Sequence, residues 1–150
     1  MKEKIKPLYQ LRYRNRSHAR MDFGEFMKGL NDSLKSKLPA DKQIRVQVTD
    51  HFLDRLMDRN ADPEYIKKIV KSTFERNLCE IFYFMHAEHT GGIRMCFTDQ
   101  IHHIQVSCDR DRGIFTLRTF IRNPERHEAK LNPEFTIYPL RKQLGDNYVI

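Results

Sequence analysis

Histidine and arginine are the side chains of this chain best suited to chemistry near neutral pH, and one histidine stands in an informative place. The stretch Thr49-Asp50-His51-Phe52-Leu53-Asp54-Arg55-Leu56-Met57-Asp58-Arg59 reads as an amphipathic helix. Thr49 opens it, because a threonine hydroxyl accepts from a free backbone N–H one turn on. At about 100° per residue, Phe52, Leu53, Leu56 and Met57 gather on one side, and His51, Asp54, Arg55, Asp58 and Arg59 on the other. His51 therefore sits on the polar side of the first turn, where unpaired N–H groups and the positive dipole end favour an anion. A neutral imidazole there can take a proton beside a phosphate group. The plainer reading is a solvated surface histidine.

Histidines with arginines suit RNA cleavage by the neighbouring 2′-hydroxyl. That reaction needs a base for the 2′-OH proton, an acid for the leaving 5′-oxygen, and cations around a phosphorane whose extra charge appears only in the transition state. No cofactor is required. Other chemistries fit less well. His86-Ala87-Glu88-His89 spaces its histidines too closely for a helical zinc pair, and no Pro-Cys-x-x-Cys follows to complete a deaminase signature. There is no glycine-rich phosphate loop and no motif behind a cysteine nucleophile.

The elements that must position such a site follow from length and periodicity. The 150 residues suit one domain with a real core. No apolar run is long enough to span a bilayer, and the charged start has no signal-peptide core, so a soluble, cytoplasmic protein without membrane partners is expected. Three cysteines (Cys79, Cys96 and Cys108) without CxxC spacing are expected to be reduced and buried. The net charge is +7, and residues 1–20 hold seven cationic side chains against Glu3 alone. A basic arm on a nearly neutral body points to a polyanion, most often nucleic acid. Within it, Arg12, Arg14 and Arg16 interleave with Leu8, Tyr9, Leu11 and Tyr13, a mixture suited to phosphate contact and base stacking. The division expected is a basic arm over 1–20, a core over 21–123 and an extension over 124–150.

Asp22 is expected to open a helix carrying Phe23, Phe26, Met27, Leu30, Leu34 and Leu38, which Pro39 stops. Ile44–Val48 alternates as a strand that runs into the Thr49 helix. Asp62-Pro63 begins another helix, with Tyr65, Ile66, Ile69, Val70 and Phe74 inward and Lys67, Lys68 and Lys71 on a solvated face. Leu78–Met85, Ile93–Thr98, Ile101–Cys108 and Ile114–Arg122 read as four strands, and Phe135–Tyr138 as a possible last one. Short connections make neighbours antiparallel, giving an α+β fold with N-terminal helices on one face of an antiparallel sheet of four strands or more. Alternation sends Ile104, Val106, Cys108 and His102 inward, with Phe115, Leu117, Ile121, Met95 and Phe97. The open face would then collect His103, Arg94, Arg118, Phe120 and Arg122, with His103 as the complement to His51 and Arg94 and Arg118 as phosphate ligands. Arg55 is expected either to meet RNA or to pair with Asp54 or Asp58.

His51-Phe52-Leu53-Asp54-Arg55 followed by Arg59 resembles the His-Leu-Leu-Asp-Arg-x-x-x-Arg helix of the RegB-like phage endoribonucleases. The likeness continues through Asp62-x-x-Tyr65, more loosely through Leu78–Met85, and returns at Arg94-Met95-Cys96-Phe97-Thr98-Asp99. It covers roughly residues 20–123 and is discontinuous, so the order of elements carries it better than any one motif. The resemblance implies a RelE/YoeB-like α+β ribonuclease that cuts single-stranded messenger RNA without metal and leaves a 2′,3′-cyclic phosphate. It also implies purine-rich Shine–Dalgarno targets and a ribosomal protein of the host as helper. His51 falls on one of that family's two catalytic histidines. The second falls on Lys71, a departure that leaves Lys71 able to stabilise the phosphorane or hold phosphate. Two alternatives remain: a ribosome-dependent toxin of a toxin–antitoxin pair, and a non-catalytic RNA-binding regulator.

Overall fold

The computed structural model describes residues 13–86, 93–122 and 135–137. Helix α1 (Arg16–Lys37) starts ahead of Asp22, because Asn15 supplies the cap: its extended backbone lets Oδ1 accept from the His18 N–H at 2.8 Å. The helix ends at Leu38, before Pro39, and buries Ala19, Phe23, Met27, Leu30 and Leu34 at three- and four-residue steps. A strand, β1 (Arg45–Val48), leads into α2 (Asp50–Asp58), whose N-cap Thr49 accepts from the Phe52 N–H at 3.1 Å as expected. Asp62 caps α3 (Pro63–Arg76), with Pro63 in the first turn.

Leu78–Met85 is a helix, not a strand: α4 spans Leu78–His86. Leu78, Ile81, Phe82 and Met85 fall at i, i+3, i+4 and i+7, and these are the residues that meet the core, with Ile81 fully buried. Asn77 closes α3 and opens α4; its side-chain amide donates to Glu80 and its carbonyl accepts from the Ile81 N–H at 3.0 Å. The continuous apolarity of this segment hid a helical period inside what looked like a buried strand.

Three strands follow as expected: β2 (Ile93–Thr98), β3 (His102–Asp109) and β4 (Ile114–Arg122), and β5 (Phe135–Ile137) closes the sheet. The order is β1-β4-β3-β2-β5. The two central pairings, β2–β3 and β3–β4, are antiparallel, but β1 joins β4 and β5 joins β2 in parallel. The sheet is thus mixed where an antiparallel one was expected. Three helices lie between β1 and its partner, and a connection that long permits a parallel return. The helices pack on one face, where Phe74 meets Phe97 and Phe115 edge-on at centroid distances of 5.8 and 5.5 Å. Each such pair adds about 1 kcal/mol to what area burial supplies. Helices followed by a sheet they cover on one side make an α+β fold compatible with a RelE-like architecture.

Two local features depart from simple alternation. In β4 the register shifts so that Gln105 faces Thr119 while Val106 faces Leu117, leaving Arg118 as the extra residue of a β-bulge. Beyond it Phe120 and Ile121 change face. Phe120, expected outward, is fully buried with the core, and Ile121 pairs with His103 on the other face; the register partner of Arg122 is His102. Lys67, expected on a solvated face, is only 14% exposed and bridges Asp22 at 2.6 Å and Glu64 at 2.9 Å, tying α3 to α1. Cys96 and Cys108 are buried thiols outside any disulfide, with burial pushing Cys108 up to about 11, whereas Cys79 is exposed.

The β3–β4 connection needs its glycine. Gly113 has φ +68°, and a Cβ there would lie 2.6 Å from the Gln43 carbonyl oxygen. Backbone strain at a left-handed residue together with that overlap sets the expected cost of Gly113→Ala at about 2 kcal/mol. A thermal melt should show Tm lowered by roughly 6 °C; an unchanged Tm would mean the hairpin does not need this conformation.

Candidate functional site

The site begins at Thr49, the junction of β1 and α2. Its backbone N–H donates to the Leu117 carbonyl at 3.2 Å, and its hydroxyl reaches the Leu117 and Arg118 carbonyls at 3.3 and 3.2 Å. The start of α2 is thereby held against the bulge in β4. His51, two residues on, is exposed in the first turn, and Phe52, Leu53 and Leu56 anchor the opposite side of the helix in the core. The expected division of α2 into an apolar and a polar face is the one observed.

The polar face of α2 is also gripped from α1. Arg16 holds Asp54 through two hydrogen bonds of 3.0 and 2.6 Å, and Arg20 holds Asp50 through two of the same lengths. These bidentate contacts keep both carboxyls below the usual carboxylate range, the hydrogen bonds from the guanidinium groups being the main cause. They neutralise the two carboxylates nearest His51 in sequence and orient α2 on α1. Arg16 is therefore engaged with Asp54 rather than held out for phosphate, and Arg20, not singled out from the sequence, does the same work. Arg55 pairs with Asp58 at 2.9 Å, the structural of its two expected roles.

On the sheet face away from the helices, the register aligns one residue from each of four strands. Arg94 in β2 stands opposite Ser107 in β3, Ser107 opposite Thr116 in β4, and Thr116 opposite Gln47 in β1. The row is wholly polar and about 14 Å wide. Gln47 donates to the Thr116 hydroxyl at 3.1 Å, and the Arg118 Nε donates to the Ser107 hydroxyl at 2.9 Å, so the guanidinium leans over the row. Gln47, Ser107, Thr116 and Arg118, with the Asp109–Arg112 hairpin, line an open cleft of about 650 Å³. Arg94 and Arg118 thus lie on the open face as expected, both exposed.

Other expected members are elsewhere. His103 points to this face but is fully buried, its Nδ1 2.8 Å from the Thr98 hydroxyl; Cys96 and Thr98 beside it are fully buried too. It cannot meet a substrate in this state and is not the complement to His51. Lys71 is exposed, 3.8 Å from Glu75, in a groove of about 340 Å³ between α1 and α3 that includes Phe26, Gly29 and Leu30. Gly29 is nine residues beyond Arg20, about 13 Å along α1, which separates Lys71 from the His51 surface. Arg14 is exposed at the start of α1, where its backbone N–H donates to His18 Nδ1 at 3.0 Å. Arg12 lies outside the described residues, as do His89 and the segment following Arg122 as far as 134.

A second cluster was not anticipated. The Asp99 carboxylate accepts from the backbone N–H groups of Ile101 (2.9 Å) and His102 (2.6 Å) and from the Tyr65 hydroxyl (2.5 Å). It also lies 2.9 Å from His102 Nδ1. The His102 ring lies flat over Phe120 and edge-on to Tyr65. Burial works against the Asp99 charge, but these hydrogen bonds outweigh it and hold the group at about 2. Tyr65 is pushed up to about 12, by burial first and then by its bond to Asp99. The signal in the sequence was an Asp three residues before an inward-facing His across a tight turn, with Tyr65 already on the inward stripe of its helix. The arrangement joins the β2–β3 turn to α3. Among the described residues no group of three or more His, Cys, Asp or Glu could hold a metal ion, and no helix is long and apolar enough to cross a membrane.

No family model matches the sequence, and neither a curated protein nor a solved structure gives a match.

The Asp99 cluster sets an acid limb of stability. Its native value lies below the ordinary 3.8, so its contribution is complete above about pH 4 and lost as pH falls toward 2. Stability measured by denaturant unfolding should decline across that window in the native protein. Asp99→Asn should be less stable at pH 6 and should flatten the limb; an unaltered slope between pH 4 and 2 would remove Asp99 as its source.

Proposed function

We propose that this chain is a metal-independent endoribonuclease acting on single-stranded RNA. The observation that carries this reading is the placement of His51, an exposed imidazole in the first turn of α2, beside a bulge that projects Arg118 onto an open polar sheet face. In this reading the RNA backbone lies along the row from Arg94 to Gln47, and the basic arm adds sequence-independent attraction that salt weakens. His51 takes the proton of the 2′-hydroxyl as that oxygen attacks phosphorus. Arg118 and Arg94 meet the charge that builds on the phosphorane. The P–O5′ bond then breaks, the leaving oxygen collects a proton from solvent, and a 2′,3′-cyclic phosphate remains. The RegB-like resemblance of the α2 motif supports the same reaction, and it is the source of the further expectation that a ribosomal protein assists on messenger RNA.

A second reading is favoured by the burial of His103 and the displacement of Lys71. With a single accessible imidazole in the described site, a protein that binds RNA and leaves it intact fits the same surface. Labelled single-stranded RNA incubated in EDTA separates the two. Cyclic-phosphate ends are expected from the native protein. His51→Ala should lower the rate about 100-fold or more while altering RNA affinity little. A mobility shift with wholly intact RNA supports the binder, and undiminished cleavage by His51→Ala removes His51 from the chemistry.

A further inference from the structure

We propose that Thr49 is a positioning residue that makes His51 and Arg118 one rigid unit, an inference that rests on the nuclease reading of the same site. One side chain makes two kinds of contact. Its oxygen accepts from the Phe52 N–H at 3.1 Å, which fixes the first turn of α2 and with it His51. Its proton is shared between the carbonyls of Leu117 and Arg118, at 3.3 and 3.2 Å. Those carbonyls flank the residue that the bulge inserts, so the contact sets where Arg118 leaves the strand. At the far end of that side chain, Ser107 accepts from Nε at 2.9 Å and turns the guanidinium over the polar row. The connection from the imidazole to the guanidinium therefore runs through the Thr49 hydroxyl, the bulge backbone and Ser107.

Capping alone does not require this. An N-cap needs only an acceptor, and aspartate caps at least as well as threonine. The second contact needs a donor, and a hydroxyl is the small side chain that supplies both from one atom. The bulge gives that contact its place. Alternation from outward Thr116 and inward Leu117 already sends Arg118 outward; the bulge leaves Arg118 without a register partner on β3 and puts Thr119, the next residue, opposite Gln105, so the Thr49 contacts hold the backbone where the ladder does not.

Two substitutions separate the roles. Thr49→Asp keeps the acceptor and loses the donor; Thr49→Ser keeps both. Thr49→Asp should retain the native helical content, lower kcat for RNA cleavage about 10- to 100-fold and leave KM within about threefold, since displacement of a reacting group by about 1 Å costs this much. Thr49→Ser should restore the native kcat. A readout without cleavage accompanies this: an uncleavable 2′-deoxy oligonucleotide should shift the His51 ring resonances in the native protein and in Thr49→Ser, and not in Thr49→Asp. Native kcat together with a native ring shift in Thr49→Asp overturns the proposal, as does an unmoved His51 ring in the native protein. A native ring shift that depends on the Thr49 donor, in a protein that never cuts RNA, leaves the positioning role standing while the nuclease reading falls.

Discussion

The contact between the first turn of α2 and the bulge of β4 is the constraint on which the candidate site depends. It lets β1 end at Val48 while β4 continues to Arg122, with the start of the helix taking over where the edge strand stops. Backbone carbonyls that would otherwise lose their ladder partner find Thr49 instead. The bulge and the cap satisfy one another, and the residue displaced by the bulge is a cation facing the open side.

The surrounding polar contacts keep that junction in place. Arg16 and Arg20 clamp the outer side of α2 to the opening turns of α1, and Lys67 with Asp22 joins α1 to α3. Tyr65 and Asp99 then tie α3 to the turn between β2 and β3. The exposed pairs contribute orientation more than stability, because solvent screens them. Stability comes from the apolar layer beneath, where Phe52, Phe74, Phe97, Phe115 and Phe120 are all essentially buried. Charges that look like RNA ligands in the sequence are in some cases engaged in holding helices in place: Arg16 and Arg55 each pair with a carboxylate.

Much of the fold was legible because the determinants are local. Thr49, Asp62-Pro63 and Pro39 are helix boundaries whose capping or breaking chemistry needs only a few neighbouring residues. The β2 to β4 hairpins follow from alternation interrupted by Asp99-Gln100 and by the turn ending at Gly113. The helix at Leu78–His86 was misread because a run apolar on nearly every residue satisfies a strand and a buried helix alike. Its period showed only through which residues reach the core.

The sequence by itself determined the α+β class, the two faces of α2 and the exposure of His51, since each rests on periodicity within a dozen residues. Tertiary structure decided which cations remain available and which way the end of β4 faces. A carboxylate thirty or more residues away captures Arg16 and Arg20, and no local pattern encodes that pairing. A single extra residue at Arg118, stabilised by the helix that docks there, reverses Phe120 and Ile121 at once. His103 kept its expected face but lost solvent, because burial depends on what covers a strand as well as on where its side chains point.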